Sequence, residues 1–320
     1  MKILVTGTAG FIGSHLAHSL LDDGHEVVGF DNLNDYYDVS LKEARSARLE
    51  KRDSFTLIRG DLTDYQLLTE SFELHEPQLV CHLAAQAGVR YSITHPFVYQ
   101  KANLEGHLNM LEACRHAEIP RLVYASSSSV YGGNKKVPFS ESDPVDSPIS
   151  LYAATKKADE LMSHTYTHLY GLQTVGLRFF TVYGPWGRPD MAMWLFTKAM
   201  LAGEAIKVFN HGDMKRDFTY IDNIVFGVKA SLFSKGLEPY EIFNLGNNNP
   251  ENLMDMVHLL ADTLGIEPKM EMLPMQPGDV PATYADISKA QSKLNYSPHT
   301  PIAEGIPKFV EWYKEYHQIG

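Results

Sequence analysis

Short, almost wholly apolar runs alternate along the first half of the chain with longer stretches that mix apolar and polar positions. Lys2-Ile3-Leu4-Val5-Thr6 is the first such run and reads as a fully buried strand. A glycine-rich turn follows, and the pattern after it predicts a helix through about Asp23, closed by Gly24. Glu26-Val27-Val28-Gly29-Phe30 predicts a second strand, ending in Asp31. The same kind of run returns at residues 55–58, 78–81, 121–124 and 174–177, with segments of helical character between them. That alternation predicts βαβ units and a parallel sheet covered on both faces. After about Leu177 the rhythm changes. Glycine, proline and aromatic residues crowd residues 179–189, and the later elements are short and mixed. Near the end, Ile302, Ile306, Phe309, Val310 and Tyr313 share one face of a 3.6-residue period. The pattern implies a nucleotide-binding half followed by a smaller substrate-capping part, without a flexible linker.

Composition narrows the function. A chain of 320 residues, 44% hydrophobic and 21% charged, builds an ordinary core and is not a disordered or fibrous protein. Its net charge of −11 disfavours nucleic acid and anionic membranes as partners. An anionic substrate would have to be captured by a few local arginines against that field. Cys81 and Cys114 cannot make a disulfide framework, which points to a reducing cytoplasm. Ile3-Leu4-Val5 is too short for a signal-peptide core, and no apolar run approaches the roughly 18 residues of a membrane span.

Four features carry candidate chemistry. Gly7-Thr8-Ala9-Gly10-Phe11-Ile12-Gly13 lies between the first strand and the first helix. Glycines there let the backbone approach a pyrophosphate, and the helix N-terminus supplies N–H groups and a positive dipole. Asp31, at the end of the second strand, can accept hydrogen bonds from a ribose and would repel a 2′-phosphate. No arginine adjoins it to compensate, so NAD is expected rather than NADP. Tyr152 and Lys156 stand four apart among good helix formers, on one helix face, where an ammonium beside a phenol favours the phenolate. Tyr131 and Lys135 have the same spacing, but Gly132-Gly133 between them argue against a helix. The run Ser126 to Ser129 falls at the C-terminal end of the fifth strand, the edge of an open α/β sheet where ligands sit. His164 and His168 share a helix face but have no evident third ligand, so no metal site is expected. The two cysteines read as packed thiols.

In this order the four features resemble the extended short-chain dehydrogenase/reductase superfamily, over essentially the whole chain. Its further marks are Asp61-Leu62 after the third strand, Leu83-Ala84-Ala85 after the fourth, and Asn103 in the helix that follows. The resemblance implies a Rossmann-type doubly wound parallel sheet in an α/β protein, with a smaller mixed α/β C-terminal domain for substrate. The division expected is an NAD-binding domain over 1–178, with a returning segment near 221–246, and a UDP-sugar-binding domain over 179–320. The implied NAD contacts are Gly7, Gly10, Phe11, Ile12, Gly13, Asp31, Asn32, Asp61, Leu62, Leu83, Ala84, Ala85, Asn103, Tyr152 and Lys156. By its distance to Val130-Tyr131-Gly132, Ser127 matches the family's catalytic Ser/Thr, beside Tyr152 and Lys156.

The second half is similar to the nucleotide-sugar epimerase branch. Leu177-Arg178-Phe179-Phe180-Thr181-Val182-Tyr183-Gly184-Pro185 matches its strand-six signature. Arg216-Asp217-Phe218-Thr219-Tyr220-Ile221-Asp222 matches the segment whose arginine binds the sugar-nucleotide diphosphate. Val208-Phe209 resembles the strand whose aromatic packs on uracil, and Pro277-Gly278-Asp279 the loop that reaches the uridine. The stretch from Thr181 through Trp186 and Arg188 to Met191 resembles the UDP-glucuronate 4-epimerases. Many relatives place asparagine where Thr181 stands. Related dehydratases and decarboxylases carry acidic residues where this chain has Ser128 and Ser129, which favours epimerisation at C4 alone.

The activity implied is interconversion of UDP-glucuronate and UDP-galacturonate by hydride transfer to NAD through a 4-keto sugar. Substrate contacts are expected from Ser128, Thr181, Arg188, Phe209, Arg216 and Asp279, with Arg188 a candidate clamp on the uronate carboxylate. The alternatives are a UDP-glucose or UDP-N-acetylglucosamine 4-epimerase, a UDP-glucuronate decarboxylase, and a non-enzymatic NAD-binding sensor or scaffold. A homodimer through the helices around Gly106 and Lys156 is implied by the same resemblance.

Overall fold

In the computed structural model, which describes residues 1–276 and 279–319, Ile3, Leu4 and Val5 of β1 (Lys2–Thr6) are completely buried. Burial on both faces requires a strand on each side and a helix on each face. β1 accordingly lies between β2 (Glu26–Asp31) and β4 (Leu79–His82), parallel to both. β3 (Phe55–Arg59) extends the sheet beyond β2, while β5 (Arg121–Ser127) and β6 (Gln173–Phe179) extend it beyond β4. The crossovers are α1 (Phe11–Asp22), α2 (Val39–Leu49), α3 (Tyr65–His75) and, between β5 and β6, α7 (Leu151–Tyr170). The connection from β4 to β5 holds two short helices, α4 (Tyr91–Thr94) and α5 (Pro96–Tyr99), a π-helical turn and α6 (Gly106–His116).

The strands after β4 run past the apolar stretches that predict them. Ser126 and Ser127 stay in β5 because the ladder continues through Ser126↔Arg178 and Ser127↔Phe179, and backbone pairing asks nothing of the side chains. This extension carries the serine run to the edge of the sheet.

The second half contributes β7 (Thr181–Tyr183), α8 (Ala192–Leu201), β8 (Ile206–Val208), β9 (Lys215–Tyr220), α9 (Ile221–Phe233) and β10 (Tyr240–Leu245). It ends with β11 (Pro250–Asn252), α10 (Leu253–Leu264), β12 (Met270–Met272), β13 (Ala282–Thr283), α11 (Ser288–Leu294) and α12 (Ile302–Tyr316). β10 joins the large sheet in parallel beside β6, which gives the order β10-β6-β5-β4-β1-β2-β3. α9 packs against α1 on one face of that sheet. β9 forms a separate small sheet with β7, β11 and β13, and β8 pairs with β12. α12 buries Ile306, Phe309, Val310 and Tyr313, the face that its period marks. Phe309, Trp312 and Tyr313 meet Trp194 of α8 in an aromatic cluster. Cys81 and Cys114 are free and buried, and burial pushes both thiols up. Among the described residues no helix is long and apolar enough to cross a membrane.

Candidate active site

A cavity of about 1220 Å³ opens at the C-terminal ends of the parallel strands and runs under the small sheets of the second half. Its first wall is backbone. Gly7 has φ +79°, and a Cβ there would stand 2.8 Å from the amide nitrogen of Ala84. A Cβ on Gly13 would stand 2.0 Å from the carbonyl oxygen of Gly7. Only glycine fits either position, and the tightness brings the N-terminus of α1 to the cavity. Gly10, Phe11, Ile12, Asn32, Asp61, Leu62, Leu83, Ala84 and Ala85 line the same wall. Asn32 donates its amide to Asp61 at 2.7 Å.

The Asp31 carboxylate accepts from the backbone N–H of Ala9 at 2.9 Å and of Leu33 at 2.8 Å. Burial pushes this carboxyl up, against those two bonds and the nearby charges of Lys42 and Arg45. α2 brings these two cations toward Asp31 from outside the turn, a neighbourhood that sequence adjacency does not show. Neither cation is free. Lys42 donates to the carbonyl oxygen and Oδ1 of Asn34, both at 2.6 Å. Arg45 commits its whole guanidinium to the carbonyls of Ala9, Trp186 and Gly187 and the hydroxyl of Tyr37.

Asn103 lies behind the cavity wall and not on it. Its Oδ1 accepts from the N–H of Gln86 at 2.8 Å, and its Nδ2 donates to the Gln86 carbonyl at 3.1 Å and Thr155 Oγ1 at 3.0 Å. With its amide so occupied, Asn103 ties the loop after β4 to α7.

Ser150 caps α7, its Oγ accepting from the N–H of Ala153 at 3.1 Å, and so places Tyr152 in the first turn and Lys156 one turn further. Both line the cavity. The Tyr99 ring stands edge-on to Tyr152 at 6.0 Å, and Lys156 donates to Asp159 Oδ2 at 3.0 Å. Tyr131, by contrast, lies in a 3-10 turn closed by Gly132 at φ +56°, and its hydroxyl donates to Asn244 at 2.7 Å. All four serines of the run line the cavity, but they are not equally free. Ser126 is buried and donates to Glu160 at 2.7 Å. Ser127 Oγ accepts from the N–H and hydroxyl of Ser129 at 3.2 and 2.8 Å.

The opposite wall is charged. Thr181 opens β7, and beyond it Arg188 donates through Nε and Nη2 to Asp190 at 3.0 and 2.5 Å. Tyr36 donates to the same carboxylate at 2.9 Å. Burial opposes the charge of Arg188, but Asp190 outweighs it and holds the guanidinium above its usual range. At the far end Arg216 donates to the carbonyls of Lys215 and Pro281 and stands 3.7 Å from Asp279. Arg90 donates to Asp279 at 3.1 Å, and its guanidinium lies 5.1 Å over the Phe209 ring. Phe209 itself follows β8 in a turn and not in the strand. Pro277 and Gly278 lie outside the described residues.

Sequence reasoning missed Tyr36, Lys42, Arg45, Arg90 and Asp190. Arg90 had a usable signal: it sits in the loop after β4, next to the β1/β4 switch point where open sheets bind ligands. Arg45 had none, since an arginine on an amphipathic helix reads as a solvated one. Among the described residues no group of three or more His, Cys, Asp or Glu could hold a metal.

The family model of the NAD dependent epimerase/dehydratase family matches residues 3–246. The chain is 51% identical to Protein CapI of Staphylococcus aureus, over 99% of this chain and 100% of that protein. It is 49% identical to UDP-glucuronate 4-epimerase 2 of Arabidopsis thaliana, over 100% of this chain and 77% of that one. Among solved structures, UDP-glucuronic acid 4-epimerase from Bacillus cereus in complex with UDP-glucuronic acid and NAD superposes with a TM-score of 0.92. That pair is 36% identical, covering 99% of this chain and 100% of the other.

Proposed function

The chain belongs to the NAD dependent epimerase/dehydratase family, and from that premise we propose that its cavity interconverts UDP-glucuronate and UDP-galacturonate by inverting C4. The observation that carries this reading is the convergence of the Tyr152–Lys156 pair and the Arg188–Asp190 pair on one cavity whose other end is a dinucleotide cradle.

NAD fits the first wall. The space that a Cβ at Gly7 or Gly13 would fill is kept clear, the α1 N-terminus points into it, and Asp31 can accept from a ribose. Gly7, Gly10, Phe11, Ile12 and Gly13 would hold the pyrophosphate, with Asp31, Asn32, Asp61, Leu62, Leu83, Ala84 and Ala85 around the adenosine and ribose. Bound there, NAD supplies a reversible hydride acceptor for C4, so that the sugar passes through a 4-ketone.

Tyr152 takes the proton from the 4-hydroxyl and later returns it. Lys156 steadies the phenolate charge, and Ser127 donates to the same sugar oxygen. Arg216, Arg90 and Asp279 surround the diphosphate and uridine, with Phe209 against the uracil. A 4-ketone makes the C5 carboxylate a β-keto acid, which loses CO2 when its bond aligns with the carbonyl π system. Arg188, with Thr181 and Ser128, holds the carboxylate out of that alignment. The serines at 128 and 129 offer no acid for chemistry at neighbouring carbons.

The cofactor half comprises 1–178 and the returning segment near 221–246, and the rest of 179–320 receives the UDP-sugar. Phe97, Leu108, Leu161 and Leu169 are exposed on α5, α6 and α7, an apolar face suited to a second copy. We assign a homodimer through it, which light scattering checks. The two free thiols fit a reducing cytoplasm.

The function is tested by incubating the purified protein, without added NAD, with UDP-glucuronate, UDP-glucose and UDP-N-acetylglucosamine separately, followed by proton NMR. UDP-galacturonate from the first alone is expected. A pentose product would mean a decarboxylase, and no product from any sugar would mean a sensor or scaffold.

A further inference from the structure

Beneath the Tyr152–Lys156 pair lies a second carboxylate that the mechanism does not use. Asp159 is one turn beyond Lys156 on α7 and almost wholly buried. Its Oδ2 accepts from the Lys156 ammonium at 3.0 Å, while its Oδ1 is buried with no partner. Glu160, the next residue, shows what a satisfied buried carboxylate looks like here. It takes two bonds from Arg178, at 2.8 and 2.9 Å, and one from Ser126.

The surroundings leave Asp159 dependent on Lys156. From β4, His82 is bonded through Nδ1 to Thr6 Oγ1 at 2.8 Å, and from α6, His107 shares a bond with Ser163 at 2.9 Å. Burial drives both imidazoles down, His82 to about 3, so they stay neutral and bring no countercharge. Tyr124, from β5, packs on His107 and is neutral as well. Among the described residues Lys156 is the only cation paired with Asp159.

We propose that Asp159 is a positioning residue for the Tyr152–Lys156 pair: it anchors the Lys156 ammonium from behind and, by its negative charge, shapes the pH dependence of turnover. The proposal rests on the assignment of Tyr152 as the base. Lys156 has three N–H donors. Asp159 engages one, fixing the side chain while two remain for the cavity. Tyr152 and Asp159 are seven residues apart, two turns on one helix face, or about 10.5 Å of rise. The carboxylate opposes phenolate formation that Lys156 favours. At an effective dielectric near 20, a unit charge at that range moves an ionisation by roughly one pH unit. Burial, only partly offset by Lys156 and aided by the neighbouring charge of Glu160, pushes the Asp159 carboxyl up to about 6, so the charge is present at neutral pH and fades below.

The test uses the NAD-loaded protein and compares wild type with Asp159→Asn, which keeps the shape and removes the charge. The acid limb of kcat/KM for UDP-glucuronate should move down by about one pH unit. A second readout does not depend on turnover: the tyrosinate absorbance of each protein minus that of its Tyr152→Phe counterpart, titrated with pH, should move by the same amount. Asp159→Glu should bring both back toward wild type. Should the amide prevent folding, Asp159→Ser is read in the same way. A lower Tm with both profiles unmoved, or a shift to higher pH, overturns the proposal and leaves Asp159 a structural partner. If Tyr152→Phe itself still turns over, the base assignment falls and the proposal falls with it. If Tyr152→Phe is inactive and the profiles do not move, only the proposal fails.

Discussion

Where β1, β2 and β4 end, the cavity is bounded by the glycine turn, Asp31 and apolar side chains such as Phe11, Ile12 and Leu62. Gly7 presses on Ala84, Gly13 on the Gly7 carbonyl, and Asp31 is fixed by two amides. Across the same space, the wall after β7 and β9 is made of long charged side chains, satisfied by each other and by Tyr36 from the loop after β2 and Arg90 from the loop after β4: Arg188 pairs with Asp190, which Tyr36 also reaches, and Arg216 and Arg90 meet at Asp279. The first wall offers a fixed shape, and a ligand either matches it or is excluded. The second offers exchangeable partners. An anionic ligand there must take donors from Asp190 or Asp279, so each arginine discriminates by what it gives up as well as by what it gains. Pairing also keeps the arginines in place in a chain whose net charge is −11.

The comparison can be broken first where the walls meet. Tyr152→Phe deletes one oxygen between them, so NAD should stay bound while turnover falls about 10²–10⁴-fold. Near-normal epimerisation by this variant would remove Tyr152 from the mechanism.

Arg45 spans both walls, since its guanidinium reaches Ala9 in the glycine turn and Trp186 and Gly187 just before Arg188. Arg45→Met should strand those buried carbonyls and lower stability by about 2–4 kcal/mol. Thermal melts check this, and an unchanged Tm would show that the walls hold together without it.

Specificity on the charged wall is read from Arg188→Ala. Loss of an ionic hydrogen bond of roughly 1.5–3 kcal/mol should lower kcat/KM for UDP-glucuronate about 10- to 150-fold, with far less effect on UDP-glucose. Some pentose should also appear by NMR, because the carboxylate can then swing into line with the ketone. Arg216→Ala is the control, expected to weaken every UDP-sugar about equally. Equal losses at Arg188 would make it a diphosphate contact instead of a carboxylate clamp.

The smallest effect belongs to the fixed wall. Asp31→Ala should weaken NAD retention by up to about tenfold and ease discrimination against NADP, as water replaces one ribose acceptor. Lys42 and Arg45 keep their own bonds and should not by themselves create a 2′-phosphate site. Unchanged NAD content after purification would count against the ribose role.

Legibility followed distance along the chain. The glycine turn, Asp31 and the Tyr152–Lys156 spacing are local, so turn chemistry, strand ends and helix period placed them. Asn103 has its amide consumed by Gln86 and Thr155, partners that only the fold supplies. The approach of Arg45 toward Asp31 is equally non-local, since α2 delivers it from 14 residues away in the sequence.

By itself the sequence determined the parallel sheet, the glycine turn and the Tyr152–Lys156 pair on one helix face, since each depends on periodicity and spacing within a few residues. Only the tertiary structure decided which charges are already spent. Arg188 bonded to Asp190 under Tyr36, Arg45 committed to three carbonyls, and Asp159 left with one bonded and one orphaned oxygen all depend on groups brought together from separate elements. A buried polar atom must find a partner wherever the fold provides one, and sequence spacing carries no record of that choice.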